Sequence, residues 1–273
     1  MPELSFVAVM MTLISDFGTK SVDLAVARGL LYQAAPETRL LDVTHLIGRG
    51  NLIQAAYVLE TANRNFPDGT VHVVLIDFFN FRYPRVLVCR IGRNYFIGAD
   101  NGLFTLTFGA EPEHVWGFPT TNGVAFSQNM KQVAMLAAYC TGLNGALPPD
   151  DWNDNVVEPL VRRGLFHPAN SKTLVECAVL DVDNYENVVL DFQRHQFDSI
   201  IGNKPFKINM VGLESITTLS SSYADVAQGQ PLCRFNSAGF LTLAVNRGKI
   251  ASHLNLKGLT ADELIYKRVR IQM

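Results

Sequence analysis

The chain has 273 residues, of which 48% are hydrophobic and 18% charged, with a net charge of -2 at pH 7. That is enough apolar chain for one large domain plus a smaller one, and no Lys/Arg run adds a local basic patch, so nucleic acid is excluded as an expected partner. No uninterrupted apolar run reaches the roughly 18 residues of a membrane-spanning helix, which excludes a spanning helix.

Leu4 to Ile14 is apolar, but acidic Glu3 precedes it and no small-residue cleavage site follows, so it reads as a buried first strand and not a secretory leader. A cytoplasmic location is expected. Val7 to Ile14 stops at Ser15-Asp16-Phe17-Gly18, as a strand buried on both faces stops at the carboxyl edge of a parallel sheet, where site residues are expected. Val22 to Ala34 has helical spacing and ends before Pro36; Arg39 to Val43 is a short strand. Asn51 to Asn65 is a second amphipathic helix, closed by Phe66-Pro67-Asp68-Gly69, and Thr70 to Ile76 is a third buried strand. The resulting β-α-β-α-β order predicts an α/β amino-terminal domain with a mainly parallel sheet.

Val86 to Ile91 and Tyr95 to Gly98 flank Gly92-Arg93-Asn94 and predict a hairpin, and Asn129 to Cys140 reads as a further helix. From Leu143 the texture turns rich in Gly, Pro, Asn and Asp. Beyond it come short strands, Val175 to Val182, Val188 to Phe192, Lys207 to Val211 and Phe240 to Val245. The expected division is an α/β domain over 1–150, a linker over 151–169 and an all-β, barrel-like domain over 170–273. Cys89, Cys140, Cys177 and Cys233 are widely spaced without a Cys-x-x-Cys pair, which predicts reduced, buried thiols. The His, Asp and Glu residues show no metal-ligand spacing, so no metal is expected.

Two groups of polar residues stand out. Asp16 lies where a strand meets a turn; its carboxylate can accept two hydrogen bonds from a ribose diol, or it can cap the following helix. Asp183, Tyr185 and Asn187 lie at alternate positions of a strand end, so a carboxylate, a ring and an amide can share one face toward an ammonium and a purine. Structurally Asp-Asn-Tyr-Glu-Asn is a plain hairpin turn, and on the residues alone that is the reading to prefer.

Ser15-Asp16-Phe17-Gly18, Asp42-Val43-Thr44-His45, the segments Phe66 to His72 and Ala99 to Gly102, Asp183 to Asn187 and Phe235 to Phe240 occur in an order and at separations that resemble the S-adenosyl-L-methionine (SAM) hydroxide adenosyltransferase family, relatives of the SAM-dependent fluorinase and chlorinase. The resemblance covers roughly residues 10 to 271. It implies that Asp16 is the ribose ligand and that SAM, or its product adenosine, is the ligand or substrate. The family's Asp-Arg-Phe-Gly-Asn matches Asp183, aromatic Tyr185 and Asn187, with Asn184 and Glu186 departing from it. Its Asn-Ser-x-Gly-Tyr-Leu-Glu-Ile-Ala-x-Asn matches Asn236 to Asn246. By that match Ser237 contacts the methionyl end, Phe240 lies in the ligand-binding segment and the backbone near Asn246 approaches the adenine. Ser21 stands where the family has an Asp near the methionine ammonium. The resemblance further implies homotrimers in which the ligand lies between the first domain of one subunit and the second of its neighbour, and a chemistry without metal.

The resemblance falters at catalysis. The family's Val-Asp-Pro-Gly-Val-Gly-Thr-x-Arg-Arg loop here reads Asp77-Phe78-Phe79-Asn80-Phe81-Arg82-Tyr83-Pro84-Arg85. Asp77 remains, Pro84 takes the place of the catalytic Arg, and Arg85 or Arg82 is the arginine that can substitute. The family's Phe-His-Gly-Arg-Asp supplies a His, and Ser127 stands there instead. Water, with a pKa of about 15.7, is a poor nucleophile toward the ribose C5', so a positioned base has to take its proton. Each positioned acid-base group contributes about 10² to 10⁴ in rate, so the expectation is a protein that binds SAM or adenosine with weak or lost cleavage. The alternatives are an active SAM hydrolase using Asp77 with Arg85 or Arg82, a halide-type transferase with Phe78, Phe79 and Phe81 as a dry pocket, and a structural trimer whose pocket those rings fill.

Overall fold

A computed structural model describes residues 10–78, 84–109, 112, 114–121, 124–143, 145–148, 152, 155–161, 168–210, 212–259, 261–264 and 266–273, the side chains of 261 and 262 excepted. The chain divides into two compact units, Met1–Gly164 and Leu165–Met273.

In the first unit the elements run β1 (Met10–Ser15), α1 (Val22–Ala34), β2 (Arg39–Thr44), α2 (Leu52–Asn65), β3 (Val71–Leu75), β4 (Arg85–Ile91), β5 (Asn94–Ala99), α3 (Leu103–Phe108), β6 (His114–Pro119) and α4 (Phe126–Leu143). They build one six-stranded sheet in the order β2-β1-β3-β5-β4-β6. The β1, β2, β3 and β5 ladders are parallel, and β4 pairs antiparallel with both β5 and β6. Strand alternation sorts the core into two layers. Met11, Leu13, Val71, Val73, Leu75, Tyr95 and Ile97 pack in one cluster with Leu24, Ala27 and Leu31 of α1 and Met130, Val133 and Ala137 of α4. On the alternate positions His72 stacks on Phe96, which meets Phe104 of α3. Close packing excludes a side chain at Gly98, where a Cβ would lie 2.6 Å from the Val74 carbonyl oxygen.

The predicted strands and helices of this unit are present, except that the part of the first strand expected before Met10 lies outside the described residues. The last helix is longer than its periodic core, starting at Phe126 because that ring packs edge-on against Phe17 and Phe78. The short strand β6 and helix α3 were not foreseen. The four thiols are all free and buried, and burial pushes each pKa up.

The second unit contains β7 (Ala169–Asn170), β8 (Leu174–Val182), β9 (Val188–Gln193), α5 (Arg194–Ile200), β10 (Lys207–Ile208), β11 (Pro231–Phe235), β12 (Phe240–Val245), α6 (Ile250–His253), α7 (Ala261–Leu264) and β13 (Arg268–Gln272). All its ladders are antiparallel, in the order β10-β13-β8-β9-β12-β11, with β7 added to β8. Instead of a continuous closing ladder, two single bridges, Ile208 with Ile216 and Leu219 with Cys233, carry the segment 216–219 from one edge toward the other. The sheet is thus curled and antiparallel, around a core of Val188, Leu190, Phe192, Leu241, Leu243 and Ile271. No helix among the described residues is long and apolar enough to cross a membrane.

Candidate functional site

Parallel pairing puts the carboxyl ends of β1, β2, β3 and β5 on one edge of the first unit's sheet. From β1 the chain goes outward to β2 and then returns to β3 on the other side, so a topological switch point opens between β1 and β3, where open α/β sheets bind ligands. Asp16 follows β1 there and Asp77 follows β3. Asp16 Oδ2 accepts the backbone N–H of Gly50 at 2.8 Å and that of Asp77 at 3.1 Å. The half-buried carboxylate thereby ties together three loops, and among the described residues Oδ1 has no hydrogen-bond partner. The helix-cap reading of Asp16 is displaced, because Ser21 caps α1 by accepting the N–H of Asp23 at 3.2 Å.

The Asp77 carboxylate lies over Gly50, whose Cβ position would be 3.8 Å from Asp77 Cγ and Oδ1. Asp77 holds φ at 48°, in the left-handed region that costs a non-glycine residue on the order of 1–3 kcal/mol and persists where surroundings enforce it. Two enforcers are visible: the Asp16 carboxylate on its N–H, and Asn101, whose Nδ2 donates to the carbonyl of Ile76 at 2.8 Å. Asn101 was legible only as part of a motif, since its bond spans 25 positions. Ser127 lies in the first turn of α4, beside Phe126, whose ring centroid is 5.5 Å from Phe17 and 6.0 Å from Phe78. Neighbours of Asp16, Asp77 and Ser127 thus pack on one another at this edge.

Arg85 opens β4 and is committed elsewhere. Its Nε donates to Asp100 Oδ2 at 2.7 Å and its Nη2 to the carbonyl of Glu158 at 2.7 Å, while fully buried Asp100 also accepts the N–H of Leu160 at 2.8 Å. Phe78 is buried in the core cluster. The sequence expectations on Phe79, Phe81 and Arg82 lie outside the described residues.

In the second unit, Asp183 to Asn187 form a tight turn between β8 and β9, so the expectation of a strand end with three side chains on one face is corrected in favour of the hairpin turn. Asp183 Oδ1 accepts the N–H groups of Tyr185 at 2.9 Å and Asn187 at 2.8 Å, and Oδ2 accepts Asn187 Nδ2 at 2.9 Å, which pulls Asp183 and Asn187 together. Tyr185 instead projects outward, 79% exposed. Glu186 takes φ of 60°, in the left-handed region that favours glycine. Its carboxylate accepts Ser252 Oγ at 2.6 Å and Lys249 Nζ at 3.1 Å, with Lys257 at 3.4 Å; the Ser252 hydroxyl, then Lys249, push its pKa down to about 2.

Asn187 Nδ2 also reaches the Tyr223 hydroxyl at 3.4 Å, and Arg234 lies 5.0 Å over the Tyr223 ring. Tyr223 escaped the sequence reading, having no motif of its own. Asn246, beyond the end of β12, donates from Nδ2 to the carbonyl of Val226 at 2.9 Å. Ser237 is exposed in the β11–β12 turn, which Asn236 closes by accepting the N–H groups of Ala238 and Phe240, each at 3.0 Å. Because Phe240 pairs with Gln193 and Leu243 with Val188, Ser237 sits at one end of β12 and the Asp183–Asn187 turn and Asn246 at the other, about 17 Å of strand away. Phe240 itself is fully buried.

Among the described residues no group of three or more His, Cys, Asp or Glu is arranged to hold a metal ion. His72 is a core histidine: Thr12 Oγ1 lies 2.7 Å from its Nδ1, and burial pushes its pKa down to about 4.

Two descriptions of known families fit the chain: the SAM hydroxide adenosyltransferase N-terminal domain over residues 11–141 and the corresponding C-terminal domain over residues 177–261. Among curated relatives, the (R)-S-adenosyl-L-methionine hydrolase of Thermus thermophilus is 27% identical over 261 residues, covering 89% of this chain and 94% of that protein. The protein of the same name from Salinispora tropica is 28% identical over 250 residues, covering 89% and 92%. Among solved structures, a conserved protein of Thermotoga maritima superposes with a TM-score of 0.78 at 22% identity, over 96% of this chain and 99% of that one. A second, from Thermus thermophilus, gives 0.70 at 24% identity, over 97% and 99%. Those two likenesses speak to the fold, while the two matching domain descriptions, one in each unit, make the chain a member of the SAM hydroxide adenosyltransferase family.

Proposed function

We propose that this chain binds SAM and adenosine through the Asp16 edge and hydrolyses the (R) epimer of SAM slowly, releasing adenosine and L-methionine. The observation that carries this reading is the division of labour on one carboxylate: Asp16 Oδ2 holds Gly50 and Asp77, and Oδ1 remains for a ribose hydroxyl. In the reaction the C5'–S bond breaks, its electron pair neutralises the sulfonium, a C5'–O bond forms to water, and water gives up a proton. Asp77 is the carboxylate at hand to orient that water. With Ser127 in place of a histidine no strong base receives the proton, which makes the step slow. Ser21, whose hydroxyl already caps α1, is assigned the methionine end, and Arg85 the part of an anchor in its pair with Asp100. In the second unit Tyr185 offers an exposed ring for stacking on a purine, Asn187 and Asn246 polar groups beside it, and Ser237 a hydroxyl at the far end of β12. Phe240 supports that strand, and the assembly is proposed to be a homotrimer, with the mass in solution as its test.

Chromatography of the full chain incubated with (R)- and (S)-SAM tests the chemistry. The expected result is adenosine from the (R) epimer alone, lost in Asp77→Ala and raised about 10²-fold or more in Ser127→His. The names of the relatives favour a second reading, a hydrolase at full rate. Under it Ser127→His leaves the rate unchanged or lowers it.

A further inference from the structure

The turn that carries Asp16 is gripped from behind by one buried histidine. Ser15, the last residue of β1 and fully buried, places Oγ 2.8 Å from His45 Nδ1, and the same Oγ accepts the N–H of Phe17 at 3.4 Å. The His45 carbonyl accepts the N–H of Gly18 at 2.8 Å. His45 therefore holds both ends of the Ser15-Asp16-Phe17-Gly18 turn, one with its ring and the other with its backbone.

The ring is itself seated. His45 Nε2 lies 3.0 Å from Asp42 Oδ1, off the line of a well-directed hydrogen bond, and Arg28 of α1 pairs with the same Asp42 through Nε and Nη2. Burial would raise the Asp42 pKa, but the hydrogen bonds from Arg28 and the close approach of His45 outweigh it and hold the carboxyl below its usual range. Asp42 can only accept, so the ring turns its Nε2 proton toward that carboxylate, and Nδ1 meets the Ser15 hydroxyl, which can donate or accept. The β1–β2 register shifts here, Leu13 facing Asp42 and Ile14 facing Thr44, with Val43 skipped. Such a bulge bends a strand and re-aims its side chains, and bulges gather next to active sites. The Ser-His-Asp sequence of contacts is no nucleophilic triad, because Ser15 has no exposed surface to offer a substrate.

We propose that His45 is a positioning residue that fixes the orientation of the Asp16 carboxylate by clamping the turn on either side of it, without touching the ligand. The consequence for affinity rests on the reading of Asp16 as the ribose ligand; the clamp itself does not.

Two measurements on the full chain separate them: amide hydrogen exchange at Gly18 and Gly50, and calorimetric titration with adenosine. His45→Ala is expected to speed exchange at both glycines about tenfold or more and to weaken adenosine about tenfold, while His45→Asn, whose amide can still meet the Ser15 hydroxyl, recovers most of both. In an Asp16→Ala background the His45→Ala step should change affinity less than about twofold, since the two act through one group. Unchanged exchange at Gly50 in both His45 variants overturns the proposal whether or not ligand binds. So does an equal affinity loss in the presence and absence of the Asp16 carboxylate. A folded wild-type chain that binds no adenosine, with Gly50 exchange raised in His45→Ala, upholds the clamp and sinks the ribose reading alone. Should His45→Ala not fold, Ser15→Ala, which removes the hydroxyl that His45 holds, carries the same exchange test.

Discussion

The two aspartates that anchor the polar sites work at opposite ranges. Asp16 bonds residues 34 and 61 positions away, so its turn exists only once β1, β3 and the loop before α2 have assembled. Asp183 bonds residues two and four positions away, so its turn organises itself. A site residue with long-range partners reports on the whole sheet, and one with local partners reports on its own hairpin. Among the described residues the first has hydrogen bonds on one oxygen only, whereas the second has them on both.

The contrast is sharpest on deletion. Asp16→Ala strands two backbone N–H groups at once and is expected to cost about 3 kcal/mol in chemical denaturation and about 100-fold in adenosine affinity. Asp183→Ala removes three local hydrogen bonds from a turn that is partly open to water and should cost less, about 1 kcal/mol. Equal losses in denaturation would erase the distinction between the two turns.

The two units also respond to pH from opposite sides. Asp191 of β9 is 4% exposed and accepts one backbone N–H, from Ala178 at 2.7 Å; burial pushes its pKa up to about 7, against the lowering effects of that bond and of Arg268. Its folded value lies above its unfolded one, so its contribution is present at low pH and lost as pH rises through about 7. Asp191→Asn should therefore stabilise the chain relative to wild type at pH 8, on the order of 2–3 kcal/mol, and hardly at pH 4. The His72 value of about 4 lies below that of free imidazole, so its contribution is present at neutral pH and lost as pH falls from about 6.5 toward 4. His72→Gln should flatten that acid limb in melting curves taken against pH, while Asp191→Asn flattens the basic one.

Glu186 tests the local turn more gently. Glu186→Ala keeps the left-handed backbone without the clamp on Ser252, Lys249 and Lys257, and should lower Tm by about 2–4 °C. Glu186→Gly loses the clamp but relieves the backbone, and should stay within about 1 °C of wild type.

What the sequence disclosed follows the same division of range. The strand ends at Ser15 and Leu75 were legible because a buried run stops at a polar turn, and the Asp183 turn because its hydrogen bonds lie within five residues. Strand β6 was not, since His114, Gly117 and Pro119 break its apolar alternation and its pairing with β4 supplies the order. Strand β13, Arg-Val-Arg-Ile-Gln, has the alternation of a strand but only two apolar residues, and its ladders with β8 and β10 supply the rest. The commitments of Arg85 to Asp100 and of Ser15 to His45 span 15 and 30 residues, and no local pattern announces either. Glu186 stands at a left-handed position, and its contacts with Lys249 and Ser252, 63 and 66 residues away, were likewise not announced by any local pattern.

The most direct test compares adenosine with 2',3'-dideoxyadenosine by calorimetric titration against wild type and Asp16→Ala. If the open oxygen of Asp16 takes a ribose hydroxyl, the dideoxy compound binds wild type about 100-fold more weakly, and the two ligands become equivalent in the variant. Equal binding of both by the wild-type chain, or no heat from adenosine up to millimolar concentration, would contradict it.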